Sequence, residues 1–434
     1  MTKKIIALII ILFLVPVLIY TGLDDSSKEG ENKIPLVTID YPLTGATVSN
    51  ILTICGTASD PDGDDNLLLV EISFDDNWML LDGTSKWSYE WIIYDMHDGP
   101  YTIKVRSYDG IDYSKVGEIT IEIDNPDAIE SDSHKWAIFI VASNFPDYNE
   151  SKLGNGALNL AEEMTDYFIQ SLKYPTSGIF ILFDDGWIRS DNGYGRPIEP
   201  LEQRLHQYDI TYGAASEKTV KRTLKYIVNE ANKFKDSEVF IWIASHGWGN
   251  SEKKLTGGKI LRRSAIYLWD KDMLTDKDLS DALVDLQAKE TCVIVDACFS
   301  GGFADKTIFN LPETLLLRAR VPRSGRVVIT ATSKFRLGYA STTNGPLFSQ
   351  LWFKGLKTGD ADGFRPGIAR MGRPTRLKFF KDGKVSAEEA FYYAKYVLRT
   401  DKVFEDYDKM QPQINDQYPH RGFIRSLKGL ILGG

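Results

Sequence analysis

Residues 291–301 read TCVIVDACFSG: the apolar run Cys292–Val295 ends at Asp296-Ala297-Cys298-Phe299-Ser300-Gly301. An earlier apolar run, Glu238–Ala244, ends at Ser245-His246-Gly247. With only 3 cysteines and 5 histidines in 434 residues, one of each closing a buried strand is a selective coincidence. In an open α/β sheet ligands bind at the carboxyl ends of the strands, so neighbouring strands would bring Cys298 and His246 to one crevice. The chemistry needs that pairing. A thiol of pKa ~8.5 is mostly protonated at neutral pH, and a nearby imidazole must take its proton or stabilise the thiolate before it attacks an acyl carbon. Gly247 lets substrate approach the backbone, and its N–H with that of Cys298 would form an oxyanion hole.

Around this pair the chain alternates continuous apolar strands with helical patterns. Trp136–Val141, Gly178–Phe183, Glu238–Ala244, Thr291–Val295 and Arg326–Thr330 read as strands of a mostly parallel sheet with helices on both faces. Val220, Leu224, Ile227, Val228, Ala231 and Phe234 recur at helical spacing and form a stripe against that sheet. Ser386 with Glu389 is a capping box opening a late helix whose buried face is Phe391, Ala394 and Leu398.

His246-Gly247, followed by the Asp-Ala-Cys-x-Ser-Gly around Cys298, resembles the cysteine peptidases that include caspases, metacaspases, legumains and clostripain. The segments Arg326–Tyr339, Gly345–Leu356 and Asp382–Ala394 resemble later parts of prokaryotic caspase-like and legumain-like proteins, so the resemblance covers roughly 134–426. It implies a cysteine endopeptidase with His246 as base and Cys298 as nucleophile. Asp296 matches an acidic residue that lines the S1 pocket of metacaspases and pairs with a basic P1 side chain, and a partly shielded carboxylate suits Arg or Lys on physical grounds too. Asp184-Asp185 resembles a metacaspase Asp-Asp that would add a second S1 carboxylate. Asn144 matches a legumain asparagine that orients the histidine, although the legumain Arg-His pair is missing. Thr332-Ser333 resembles the substrate-pairing edge of S1, acting through its backbone. The caspase-type Gln-Ala-Cys-x-Gly is absent, which speaks against cleavage after aspartate.

Ahead of this domain the pattern is different. Lys3-Lys4, an apolar stretch Ile5–Leu23 and acidic Asp24-Asp25 read as an uncleaved anchor or a signal peptide over 1–23, which puts the rest outside the cell: single-pass on the cell membrane, or secreted. A polar linker, 24–33, precedes short alternating runs at 34–125 that read as an antiparallel β-sandwich. Gly56–Asp64 (GTASDPDGD) and Val105–Gly110 (VRSYDG) resemble a bacterial Ig-like domain, a fold that by itself implies a spacer or a wall- or ligand-binding module.

A formal net charge of −9 and a pI near 5.3 argue against a nucleic-acid partner. Three unclustered cysteines make neither a disulfide scaffold nor a zinc site. Calcium is the one cofactor raised, by Asp360, Asp362, Asp382, Asp276 and Asp278, but no EF-hand pattern joins them and the mechanism requires no cofactor. Basic segments with Lys253, Lys254, Lys259, Arg262 and Arg263, and with Arg318, Arg320, Arg323 and Arg326, read as accessible self-cleavage sites for an acidic pocket. Expected partners are a protein or peptide substrate and the membrane. Two other functions stay open: the same thioester serving Asn/Asp-specific cleavage or transpeptidation, and a non-catalytic surface adhesin that binds peptides.

Overall fold

The computed structural model describes residues 32–126, 133–145, 153–186, 208–249, 264–269, 272–305, 321–365, 375–376, 381–419 and 429–434. The apolar segment expected to anchor the chain lies outside these residues. Among the described residues no helix is long and apolar enough to cross a membrane.

Residues 34–125 form two packed sheets. One orders Leu36–Val37, Ile51–Ser59 and Lys86–Ile92; the other orders Thr47–Val48, Gly117–Ile123, Gly99–Tyr108, Leu69–Ser73 and Met79–Leu80. Alternating side chains such as Ile54, Val70, Ile72, Trp87, Ile103, Val105 and Ile121 fill the space between them. Period-2 alternation is what a sheet buried on one face demands.

The following domain is built on seven strands: β1 (Lys135–Ala142), β2 (Ile179–Phe183), β3 (Thr211–Gly213), β4 (Glu238–Ser245), β5 (Glu290–Asp296), β6 (Arg326–Thr330) and β7 (Gln413–Asp416). Their order is β3-β2-β1-β4-β5-β6-β7, parallel except for the last. The central stretches of the parallel strands β1, β2, β4, β5 and β6 are continuously apolar because helices cover both faces. Phe139, Phe240, Trp242 and Ile294 pack with α1 (Gly156–Gln170), α4 (Leu347–Thr358) and α5 (Ala387–Thr400). Ile138, Ile241, Val293 and Val328 meet α2 (Glu217–Ala231) and α3 (Asp276–Ala282) through Val220, Leu224, Ile227 and Leu279. The Ser386–Glu389 capping box is present at α5. Leu430 and Leu432, past the boundary expected at 426, also bury in the first of these cores. Burying such side chains contributes about 1.5–3 kcal/mol each, so the closing residues belong to the domain.

Candidate active site

Strand register decides what meets at the carboxyl edge. Ala244 on β4 pairs with Asp296 on β5. His246 and Cys298 therefore each stand two residues beyond paired positions, and both residues line one cavity with Asp296, Ala157, Gly338, Tyr339, Gly345 and Pro346 among its walls.

The histidine segment is held from two sides. A short strand, Ser264–Tyr267, pairs antiparallel with Gly247–Gly249, so that Gly247 faces Ile266. Tyr267 donates its N–H to the His246 carbonyl at 2.9 Å and accepts a bond from the Ser245 hydroxyl at 2.7 Å. The imidazole lies 5.9 Å, centroid to centroid, from the Phe145 ring, and Phe145 stacks at 5.8 Å on Trp269.

The nucleophile sits in a tight turn. Phe299 takes a left-handed φ of 57°, and its N–H donates to the Arg336 carbonyl at 2.8 Å. Gly338 donates its N–H to Cys298 Sγ at 3.2 Å. Burial pushes the Cys298 thiol up, opposed by the backbone N–H groups of Gly338, Cys298 itself and Gly247, which favour the thiolate. These donors also indicate where a developing oxyanion would be stabilised. Cys292 is fully buried with its thiol pushed well up, and Cys55 is half-buried with its thiol pushed up to about 11; both are poor nucleophiles.

Asp296 is 4% exposed. Its Oδ2 accepts from the Ser349 N–H at 2.9 Å and hydroxyl at 2.7 Å, in the first turn of α4, where the helix dipole favours an anion. The Trp242 indole N–H in turn donates to the Ser349 oxygen at 2.9 Å. Burial pushes the Asp296 carboxyl up to about 6, offset by the two bonds from Ser349.

The other residues singled out in the sequence lie elsewhere. Asp184 is 1% exposed and does not line the cavity: its carboxylate accepts from the N–H groups of Ser143 at 2.6 Å and Asn144 at 3.3 Å, and from the Asn144 amide at 2.9 Å. It braces the end of β1, and burial pushes it up to about 7. Asp185 is also outside the lining set. Asn144 spends its amide on Asp184 and, at 3.1 Å, on Asn155, with no bond to His246 among those described. Thr332 is fully buried and its hydroxyl ties Ala297 and Ser300, both at 3.0 Å, so its side chain supports the nucleophile turn. Neither Thr332 nor Ser333 lines the cavity; Gly338, Tyr339 and Ala340 do.

Arg326 corrects the self-cleavage expectation. It is 2% exposed, and its guanidinium donates to the carbonyls of Val321, Leu283 and Leu286. Arg323 reaches the Val284 carbonyl at 2.7 Å. The remaining basic candidates, 253–263 and 318–320, lie outside the described residues. Among the aspartates raised for calcium, Asp278 completes a capping box with Thr275, Asp360 accepts from Thr358, and Asp362 accepts from the N–H groups of Asp382 and Gly383. Among the described residues no three His, Cys, Asp or Glu side chains converge on a metal position.

Two site residues had escaped the sequence argument. Gly338 was hidden in a loop with no motif of its own. Ser349 left a trace: a lone polar residue between Phe348 and Leu351 on the buried face of α4.

A bacterial Ig domain model matches residues 35–105, and a caspase domain model matches residues 134–360. A search of curated proteins finds no match. Among solved structures, caspase-1 from Spodoptera frugiperda is similar at 11% identity and a TM-score of 0.35, over 65% of this chain and 86% of that one. An endo-β-1,4-mannanase from Thermotoga petrophila is similar at 9% identity and a TM-score of 0.20, and the match spans 23% of this chain and only 22% of the mannanase. Both likenesses are too slight to add to the argument. The caspase domain model takes in just over half of the 434 residues, and on that match the chain belongs to the caspase-domain family of cysteine peptidases, with a bacterial Ig-like domain ahead of the peptidase-type domain.

Proposed function

We propose that this chain is an exported or membrane-anchored cysteine endopeptidase that cleaves after Arg or Lys. The observation that carries the proposal is that Cys298, His246 and Asp296 line a single cavity at the carboxyl ends of β4 and β5.

In the proposed cycle His246 takes the Cys298 proton, and the thiolate attacks the scissile carbonyl carbon. Charge on the carbonyl oxygen is met by the N–H groups of Gly247 and Cys298. Collapse breaks the C–N bond, the imidazolium gives its proton to the leaving amine, and a thioester remains. Water, deprotonated by His246, then releases the carboxylic acid and the free thiol. Asp296 holds the P1 cation, its negative charge kept in a shielded position where an Arg fork binds best. The Lys3-Lys4/apolar/Asp24-Asp25 pattern supports placing the catalytic domain outside the membrane.

Fluorogenic peptides ending in Arg, Lys, Asn or Asp test this directly. Thiol-dependent turnover restricted to Arg and Lys is expected. Turnover after Asn or Asp, or none at all, defeats it.

A further inference from the structure

The β-sandwich is joined to the peptidase-type domain by a built interface. Ile51 packs with the core of the second domain, on the side of α2 and α3. Asn50, 2% exposed, donates from its amide to the Thr211 hydroxyl on β3 at 2.8 Å. Tyr94 stacks on Tyr226 of α2 at 4.4 Å and shares a hydrogen bond with Thr223 at 2.9 Å. A Cβ on Gly213 would come within 2.7 Å of Ile51, so the glycine admits the close approach.

At the centre is Glu90, a half-buried carboxylate from the β-sandwich set against the other domain. Its Oε2 accepts from the Ala214 N–H at 2.5 Å, and its Oε1 accepts from the Thr219 hydroxyl in the first turn of α2. One residue on, Ala215 donates its N–H to the Asp184 carbonyl at 2.8 Å and accepts from the Trp269 N–H at 3.0 Å. Trp269 stacks on Phe145, the ring beside His246, while the Asp184 carboxylate holds the backbone of Ser143 and Asn144 just before Phe145. Phe145 is thus gripped by ring and by backbone from residues 215 and 184, which bond to each other.

We propose that the β-sandwich is a working part of the peptidase rather than a spacer: Glu90, by fixing Ala214-Ala215, positions the imidazole of His246 through Trp269 and Phe145. Glu90 is a positioning residue and touches no substrate. The proposal rests on His246 acting on Cys298. Small displacements of a catalytic group are costly, because near-attack geometry tolerates less than about 1 Å.

The test uses the full chain. Iodoacetamide labelling of the Cys298 peptide, followed by mass spectrometry across the acid and neutral range, reports thiolate formation whichever peptide is cleaved. Wild type labels at lower pH than His246→Ala. In Glu90→Ala the labelling profile moves toward that of His246→Ala, and kcat on an Arg peptide falls about tenfold with KM held within about twofold. Glu90→Gln, whose amide oxygen still accepts from Ala214, recovers most of both. Glu90→Asp, which withdraws the carboxylate by one methylene, gives an intermediate profile and carries the test if the alanine variant does not fold. A wild-type profile and kcat in folded Glu90→Ala or Glu90→Asp overturns the positioning role, as does loss of active fraction with an unmoved profile. Identical labelling of wild type and His246→Ala instead brings down the base–nucleophile reading, a separate failure.

Discussion

The main chain of Gly247 lies directly against that of Cys298: a Cβ built on the glycine would stand 1.8 Å from the Cys298 carbonyl oxygen and 2.9 Å from its nitrogen. Both atoms are backbone, so nothing flexible can yield. Gly247→Ala must push the histidine and cysteine segments apart, and kcat is expected to fall about 100-fold or more, since such loss attends a displacement near 1 Å. Near wild-type turnover in that variant would show that the close approach is dispensable.

In the proposed S1 role the carboxyl of Asp296, pushed up to about 6 by burial, should set a pH limb on selectivity. A cationic P1 side chain needs the ionised form. As pH falls through about 6 the group protonates, and kcat/KM for an Arg peptide should drop relative to the same peptide with Gln. In Asp296→Asn the Arg preference should fall about 100-fold or more and the pH dependence of the ratio should vanish, the loss of one partner from a buried pair being worth about 3–5 kcal/mol. An Arg/Gln ratio that is flat with pH in the wild type contradicts the assignment.

Ser349 couples that carboxylate to the core, since its hydroxyl donates to Asp296 and accepts from Trp242. Ser349→Ala leaves the indole N–H unpaired, at a cost of about 1–3 kcal/mol. It also removes one bond that lowers the Asp296 pKa, so the selectivity limb moves to higher pH. Thermal melting and the Arg/Gln ratio check the two effects separately.

The fold was legible where burial imposes a simple pattern. Continuous apolar runs marked β1, β2, β4, β5 and β6 because each is covered on both faces, and the α2 stripe and Ser386–Glu389 box marked two helices. The short, polar β7, Gln413–Asp416, was not legible, for an edge strand held on one side needs no such run. That His246, Cys298 and Asp296 share one cavity could be read because each stands at or just past a strand end. Asp184 occupies the same kind of position, yet its carboxylate turns to the backbone N–H groups of Ser143 and Asn144, a tertiary contact that no spacing encodes. Glu90 and Tyr94 carry no motif, and only tertiary contact gives them a role.

Stability should decline from mildly acidic to alkaline pH. Burial pushes Asp296, Asp184 and Glu388 up to about 6, 7 and 8, whereas unfolded carboxyls titrate near 4. Between those limits the folded chain binds more protons than the unfolded one, so the contribution is complete below the unfolded pKa and is lost as pH rises through 6 to 8. Asp62, Asp76 and Asp109, held below the usual range by hydrogen bonds, act in the opposite sense only in stronger acid. The melting temperature should therefore fall from pH ~5 to pH ~8, and less steeply in Glu388→Gln. A melting temperature that rises over this interval contradicts the sign.

The central claim is that Cys298 is the nucleophile of a peptidase selective for basic P1 residues. Purified wild type and Cys298→Ala, assayed side by side on otherwise identical fluorogenic peptides ending in Arg, Lys, Asn or Asp, test it most directly. Turnover of the Arg and Lys peptides by wild type alone is the predicted result; equal turnover by the two proteins, or cleavage confined to Asn or Asp, would contradict it.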